Sequence, residues 1–181
     1  MRVIAGSAKG RRLKGPKDHS GRTRPTSDLV RGAMFSALAS MGADMSRVLD
    51  LYAGSGALGI EALSRGAQSC DFVERDGGAC AVIRDNLSAT GFAAQGRVLC
   101  VAAARALQRL EGPYTLVLAD PPYEDSEAGA VLETLAASAL VQEGTILVLE
   151  HSARVEPRGE LGRFSLVSVR RHGDSAVSIY R

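Results

Sequence analysis

Asp120-Pro121-Pro122-Tyr123 concentrates more chemistry than any other four residues of this sequence. It closes an apolar run, 115-TLVLAD-120, that reads as a buried strand. Two consecutive prolines cannot continue a central strand, so the chain must leave the sheet there. A carboxylate, a stiff carbonyl and an aromatic ring are then presented together at a strand end. That set suits the exocyclic amino group of a nucleobase, a poor nucleophile because its lone pair is delocalised into the ring. Two acceptors on its N–H protons favour a pyramidal nitrogen and release the lone pair. Asp120 can be one acceptor. The Pro121 carbonyl can be the other, with φ held at about −65° and Pro122 restricting it further. Tyr123 can stack on the base, a contact worth roughly 1–3 kcal/mol. A base inside a helix cannot reach such a turn, so the target has to be unpaired or flipped out.

The second candidate is 48-VLDLYAGSGALGIEAL-63, where an apolar strand runs through Asp50 into Gly54-Ser55-Gly56-Ala57-Leu58-Gly59. Gly54 and Gly56 allow a tight turn and close approach of a ligand, and Gly59 allows close helix–strand packing. This G-x-G-x-x-G pattern alone fits a dinucleotide site. Asp50 argues otherwise. A carboxylate ~4 Å from a pyrophosphate, at an effective dielectric of ~20, is repelled by on the order of 4 kcal/mol. S-adenosylmethionine carries a sulfonium and an ammonium and reverses the sign. Glu74, twenty residues beyond Gly54 at the end of the next strand, stands where an acidic side chain accepts both ribose hydroxyls.

The surrounding pattern supplies the frame. A helix is expected from a Thr26 or Ser27 cap to about Met41, with apolar residues from Leu29 to Met41 at helical spacing. Strands are expected at 47–52, 70–74, 97–101, 115–120 and 145–150, with helices at about 57–65, 77–90, 103–110 and 127–139. The strands are almost continuously apolar, as when helices cover both faces of a parallel sheet. The end differs: 164-FSLVSVRR-171 and 176-AVSIY-180 flank 172-HGDS-175, the signature of a hairpin. The expected fold class is therefore α/β, a Rossmann-like, mainly parallel sheet that finishes in an antiparallel hairpin.

Charge is unevenly spread. The 181 residues carry a net +2, yet residues 1–31 hold nine Lys/Arg against Asp18 and Asp28, while the remainder holds 13 basic and 18 acidic residues. A basic arm on an acidic domain points to a polyanion partner. Within it, 2-RVIAGSAKGRRLKGP-16 mixes Val3, Ile4 and Leu13 with Lys9, Arg11 and Arg12, which reads as short strands rather than a disordered tail. The division expected is a basic hairpin or arm over 1–24 and a catalytic domain over 25–181. Cys70, Cys80 and Cys100 form no C-x-x-C pair and His19, His151 and His172 do not join them. We expect idle thiols, no metal site and a reducing, cytoplasmic setting. No apolar run reaches the ~20 residues of a bilayer span.

Read together, 2-RVIAGSAKGRRL-13, 24-RPTSDLVRGAMFSAL-38, 49-LDLYAGSGALGIEALSRGA-67, 73-VERD-76, 85-DNL-87, 119-ADPPY-123 and 173-GDSAVSIY-180 resemble the 16S rRNA guanine-N2 methyltransferases of the RsmD type, in order and over essentially the whole chain. The resemblance implies a seven-stranded class I methyltransferase sheet with a small basic N-terminal β-hairpin, S-adenosyl-L-methionine as donor, and one guanine of 16S rRNA, free or in a 30S particle, as acceptor. A monomer is expected, as is common for small single-domain enzymes of this sort. Carried over, Asp120, Pro121, Pro122 and Tyr123 form the catalytic turn. Asp50, Tyr52, Ala53, Gly54, Gly56, Glu74, Arg75 and Ala102 line the donor site, and Arg24, Thr26 and Arg31 join Lys9, Arg11 and Arg12 on the RNA side. One departure stands out: Ala102 and Ala103 occupy the place where such enzymes often carry Asp or Asn to read adenine, which leaves that task to backbone groups.

Three other readings compete. A DNA adenine-N6 methyltransferase could use the same turn but would normally need more chain to read DNA. A nicotinamide oxidoreductase explains the glycines and Glu74 but gives Asp50 and the double proline no role. A non-catalytic RNA-binding assembly protein leaves Asp120 unexplained.

Overall fold

The computed structural model describes residues 1–15, 28–122 and 125–181. Arg24, Thr26 and Tyr123 lie outside the described residues. Five strands, β1 (Arg47–Leu51), β2 (Ser69–Glu74), β3 (Gly96–Cys100), β4 (Tyr114–Ala119) and β5 (Val141–Ser152), are separated by α2 (Ala57–Ser64), α3 (Gly77–Thr90), α4 (Ala103–Ala106) and α5 (Ala128–Ala137), with α1 (Asp28–Ser40) ahead of them. They are followed by β6 (Glu160–Leu161), β7 (Phe164–His172) and β8 (Ser175–Tyr180). The sheet order is β3-β2-β1-β4-β5-β8-β7-β6. The first five strands pair in parallel, and β8 inserts antiparallel between β5 and β7. The seven expected strands are present. The eighth, β6, is a two-residue edge strand on β7, too short to leave a pattern in the sequence.

Alternation along each strand divides the core. Val48, Leu116, Leu118, Ile146 and Val148 face α1, α2 and α3. Leu49, Leu51, Val117, Ala119 and Leu147 face α4 and α5. Among the described residues, no helix is long and apolar enough to cross a membrane.

The helix α2 approaches the sheet closely at Gly59. A Cβ there would lie 2.4 Å from a Phe72 ring carbon and 2.6 Å from the Cys70 sulfur, both on β2 and both fully enclosed. Gly59→Val should therefore cost about 3 kcal/mol, the upper end of ordinary overpacking. A urea midpoint equal to that of the parent chain would show that the helix can shift away.

The N-terminal arm is not a separate unit. Arg2 and Arg12 form one antiparallel bridge, supported by Val3 N–H to Arg11 C=O and Gly10 N–H to Val3 C=O, both 2.9 Å. This is the expected hairpin in minimal form. Val3, Ala8 and Leu13 are buried in the same apolar cluster as α1 and α2, so residues 1–13 share the core of the domain they were expected to flank.

Candidate active site

Strand register brings three carboxylates together. Asp50 pairs with Phe72 on β2 and Leu118 on β4. Two residues further along each neighbour stand Glu74 and Asp120, on the same face as Asp50 because side chains alternate. The carboxylates therefore form an arc at the carboxyl ends of β2, β1 and β4, with Asp50 deepest. In an open parallel sheet this edge is where ligands bind.

Asp50 differs from its expected role. It is 1% exposed, and its Oδ2 accepts the Gly59 N–H of α2 at 2.8 Å. Burial pushes its pKa well above the usual carboxylate range; the Gly59 bond opposes this, and the neighbouring Asp120 and Glu74 add to it. Asp50 is thus a clamp beneath the glycine turn, tying the end of β1 to the first turn of α2. It faces the loop it holds, whereas Asp120 and Glu74 are both partly exposed.

The turn itself is built for close approach. Gly54 (φ 56°) and Gly56 (φ 76°) occupy the left-handed region that glycine enters without steric cost. Gly56 packs against α3 and β2, with a hypothetical Cβ 3.1 Å from Ile83. A Cβ on Gly54 would meet nothing within 4 Å, so space lies above it. Glu74 fixes its near wall: Oε2 accepts Gly54 N–H at 2.9 Å and Oε1 accepts Asp76 N–H at 2.8 Å. Ala53 N–H bonds Val73 C=O, and Val101 N–H bonds Glu74 C=O, each at 2.9 Å. This holds Ala102, at the start of α4, beside the end of β2. Arg75 is exposed at that rim.

Tyr52 has a positive φ of 65°, the one non-glycine among the described residues to do so. Such backbone costs about 1–3 kcal/mol and concentrates at functional sites. Its hydroxyl is buried and makes no hydrogen bond among the described residues. Burial raises its pKa to about 12; nearby Asp125 and Glu127 add to this and Arg75 opposes it. Tyr52 therefore lies between the end of β2 and the segment after β4.

That segment leaves the sheet as expected. β4 ends at Ala119, with Asp120 N–H making a long 3.4 Å contact to Leu51 C=O. Pro121 is partly exposed and Pro122 exposed. The Pro122 carbonyl accepts Asp125 N–H at 2.9 Å, which closes a turn ahead of α5.

On the arm, Lys9, Arg11, Arg12 and Lys14 are all exposed. Arg31 corrects an expectation: it is 0% exposed and cannot offer its charge to an external polyanion. Its guanidinium bonds Arg2 C=O and Asp28 and pairs with Glu61 at 3.8 Å. A periodic pattern assigns a long basic side chain at a helix start to solvent; here α1 turns it inward because Glu61 waits there.

Glu61, Ser64 and Asn86 lie in stretches that carry the resemblance, 49–67 and 85–87, but have no role assigned to them there. Glu61 is the sole charged residue of an otherwise apolar helix, 57-ALGIEALS-64. A buried carboxylate needs donors, and it takes Ile4 N–H at 2.8 Å, Ala5 N–H at 3.1 Å and Arg65 Nε at 2.7 Å. Ser64 completes the dock, its carbonyl accepting Ser7 N–H and its hydroxyl accepting Ala8 N–H.

Comparison with known proteins identifies the family. The family model described as "Conserved hypothetical protein 95" matches residues 1–181. "Putative rRNA methyltransferase YlbH" of Bacillus subtilis is 37% identical over 184 residues, covering 100% of this chain and 98% of that protein. "Ribosomal RNA small subunit methyltransferase D" of Escherichia coli K12 is 40% identical over 123 residues, 68% of this chain and 60% of that one. Among solved structures, "Putative methyltransferase yhhF" from Escherichia coli superposes with a TM-score of 0.85 at 30% identity, covering 99% and 96% of the two chains. A more distant RNA methyltransferase from Salinibacter ruber, solved in complex with S-adenosyl-L-homocysteine, shares the fold at TM-score 0.65 and 19% identity, over 87% and 92%. With the whole chain matched and the strand-end arc in place, the protein belongs to the Conserved hypothetical protein 95 family, the RsmD family of class I methyltransferases.

Proposed function

We propose that the protein transfers a methyl group from S-adenosylmethionine to the N2 amino group of a guanine in 16S rRNA. The observation that carries this reading is the arc of Glu74, Asp50 and Asp120 at three adjacent strand ends around the open space above Gly54. The two partly exposed carboxylates, Glu74 and Asp120, favour a cationic ligand and oppose a pyrophosphate, which weighs against a nicotinamide cofactor. The names of the relatives point to ribosomal RNA as acceptor.

The residues present fit the donor. Glu74, its carboxylate already oriented by Gly54 and Asp76 N–H groups, would receive the ribose hydroxyls. The donor contributes an electrophilic methyl group on sulfur. Asp120 and the Pro121 carbonyl would accept the two N–H protons of the guanine amine, hold its lone pair toward that methyl and stabilise the charge that develops on nitrogen. The exposed position of Pro122 leaves room for an unstacked base to enter. Tyr123 is assigned to stacking on that base, and Arg24 and Thr26 to the RNA side.

The test is transfer of tritiated methyl to 16S rRNA, naked or in 30S particles, with DNA alongside, followed by nucleoside mass spectrometry. N2-methylguanosine is expected from RNA. Label on DNA adenine, or no label on either, rejects the proposal.

The basic arm supplies affinity. Arg11→Glu combined with Arg12→Glu should weaken RNA binding and flatten its dependence on salt, since each lost phosphate contact removes roughly 0.7–0.9 from the slope of log K against log salt. An unchanged slope would mean that the arm does not touch RNA.

A further inference from the structure

One side-chain amide joins the basic arm to the glycine turn. Asn86 lies on α3 and is 1% exposed. Its Oδ1 accepts Lys14 N–H at 2.9 Å. Its Nδ2 donates to Lys14 C=O and to Ser55 C=O, both at 3.0 Å. Ser55 stands between Gly54 and Gly56, the two left-handed glycines of the turn, and its hydroxyl contacts the Met1 sulfur at 3.8 Å. Met1 directly and Lys14 through Asn86 therefore close on the same loop residue. The two-point grip on Lys14 fixes the register of the arm, because one amide matches the N–H and C=O of a single residue. The turn it also holds is rich in glycine and loses much conformational freedom when ordered. A contact that keeps Lys14 seated keeps Ser55 seated as well.

We infer that Asn86 is a positioning residue that makes the arm and the donor turn bind their ligands cooperatively. The inference rests on the function proposed above, in which a polyanionic RNA lies on Lys9, Arg11, Arg12 and Lys14 and an adenosine donor lies over Gly54. RNA phosphates on the arm hold the Lys14 strand against Asn86, and Asn86 holds Ser55 in the shape the donor requires. Linkage makes the effect reciprocal: RNA tightens the donor by the same factor as the donor tightens RNA.

The experiment uses the full chain, S-adenosylhomocysteine as an unreactive donor probe, and a 16S rRNA transcript. Each ligand is titrated with and without saturation by the other. In the parent protein each should tighten the other by the same factor, roughly 5-fold or more. Asn86→Ala should bring that factor close to 1 while each ligand alone still binds. Hydrogen exchange at residues 54–56 of the parent protein should slow when RNA is added, a readout that needs no variant to fold. A factor of 1 in the parent, or an undiminished factor in Asn86→Ala, overturns the inference. Absence of S-adenosylhomocysteine binding would overturn the proposed function first. Independent binding of both ligands would overturn the inference alone.

Discussion

Asp120→Ala is expected to lower single-turnover methyl transfer by roughly 10²- to 10⁴-fold, the range for losing a positioned proton acceptor, while S-adenosylhomocysteine binding changes by less than about tenfold, or about 1.4 kcal/mol. The separation follows from where the residues stand. The donor turn is shaped by Asp50 beneath it and Glu74 beside it, through Gly59 and Gly54. Asp120 stands on the next strand over, partly exposed and outside the apolar core, so its removal opens no cavity. Its carboxylate does bear on the site electrostatically, as one of the two charges that help raise the Asp50 pKa. Removing it therefore weakens attraction for a cationic donor slightly and not the geometry that holds it. Asp120→Asn keeps one acceptor oxygen and should fall between Ala and the parent. Equal loss of transfer and donor binding in the Ala variant would assign Asp120 to the structure of the strand end instead.

The sequence exposes those parts of the molecule whose physics is local. The apolar strands and the glycines that stop α2 and α3 fall where periodicity and turn chemistry place them: α3 occupies Gly77–Thr90 with Gly91 at φ 85° as its cap. The double proline ends β4 at Ala119. Elements set by tertiary contacts differ more. The expected helix 103–110 regularises over Ala103–Ala106 alone, because it packs through few buried residues. β5 begins at Val141, four residues early, with an irregularity in its pairing to β4 across Gly144, whose φ is 84°. For the site, the types were legible and the orientations were not. Asp50 and Arg31 were both expected to face a ligand, and both are enclosed by neighbours distant in sequence, Gly59 for one and Glu61 for the other. A charged residue in an apolar helix is the signal that could have found Glu61, since such a group must meet a buried partner.

The buried Glu61 carries the largest expected effect on stability. Its carboxylate joins three segments: the arm through Ile4 and Ala5 N–H, α1 through Arg31, and the end of α2 through Arg65. Glu61→Ala leaves two backbone donors short of their acceptor and Arg31, itself 0% exposed, without its anionic neighbour on α2. Arg65 is 18% exposed and can turn to water; Arg31 keeps Asp28 and the Arg2 carbonyl but loses the Glu61 charge. Removing one partner of a buried pair costs about 3–5 kcal/mol, which is a large share of the ~5–15 kcal/mol that holds a domain folded. Urea unfolding followed by circular dichroism measures it, and Glu61→Gln, which keeps the shape and one acceptor oxygen, should lose less. The damage should also be local before it is global: limited proteolysis of the folded variant should clip residues 1–15 first, because the arm loses its dock on α2 while the sheet keeps its ladder. A cost below about 1 kcal/mol, the worth of an exposed pair, would mean that the arm is held by Val3, Ala8 and Leu13 alone and that the Glu61 network only fills the space between them.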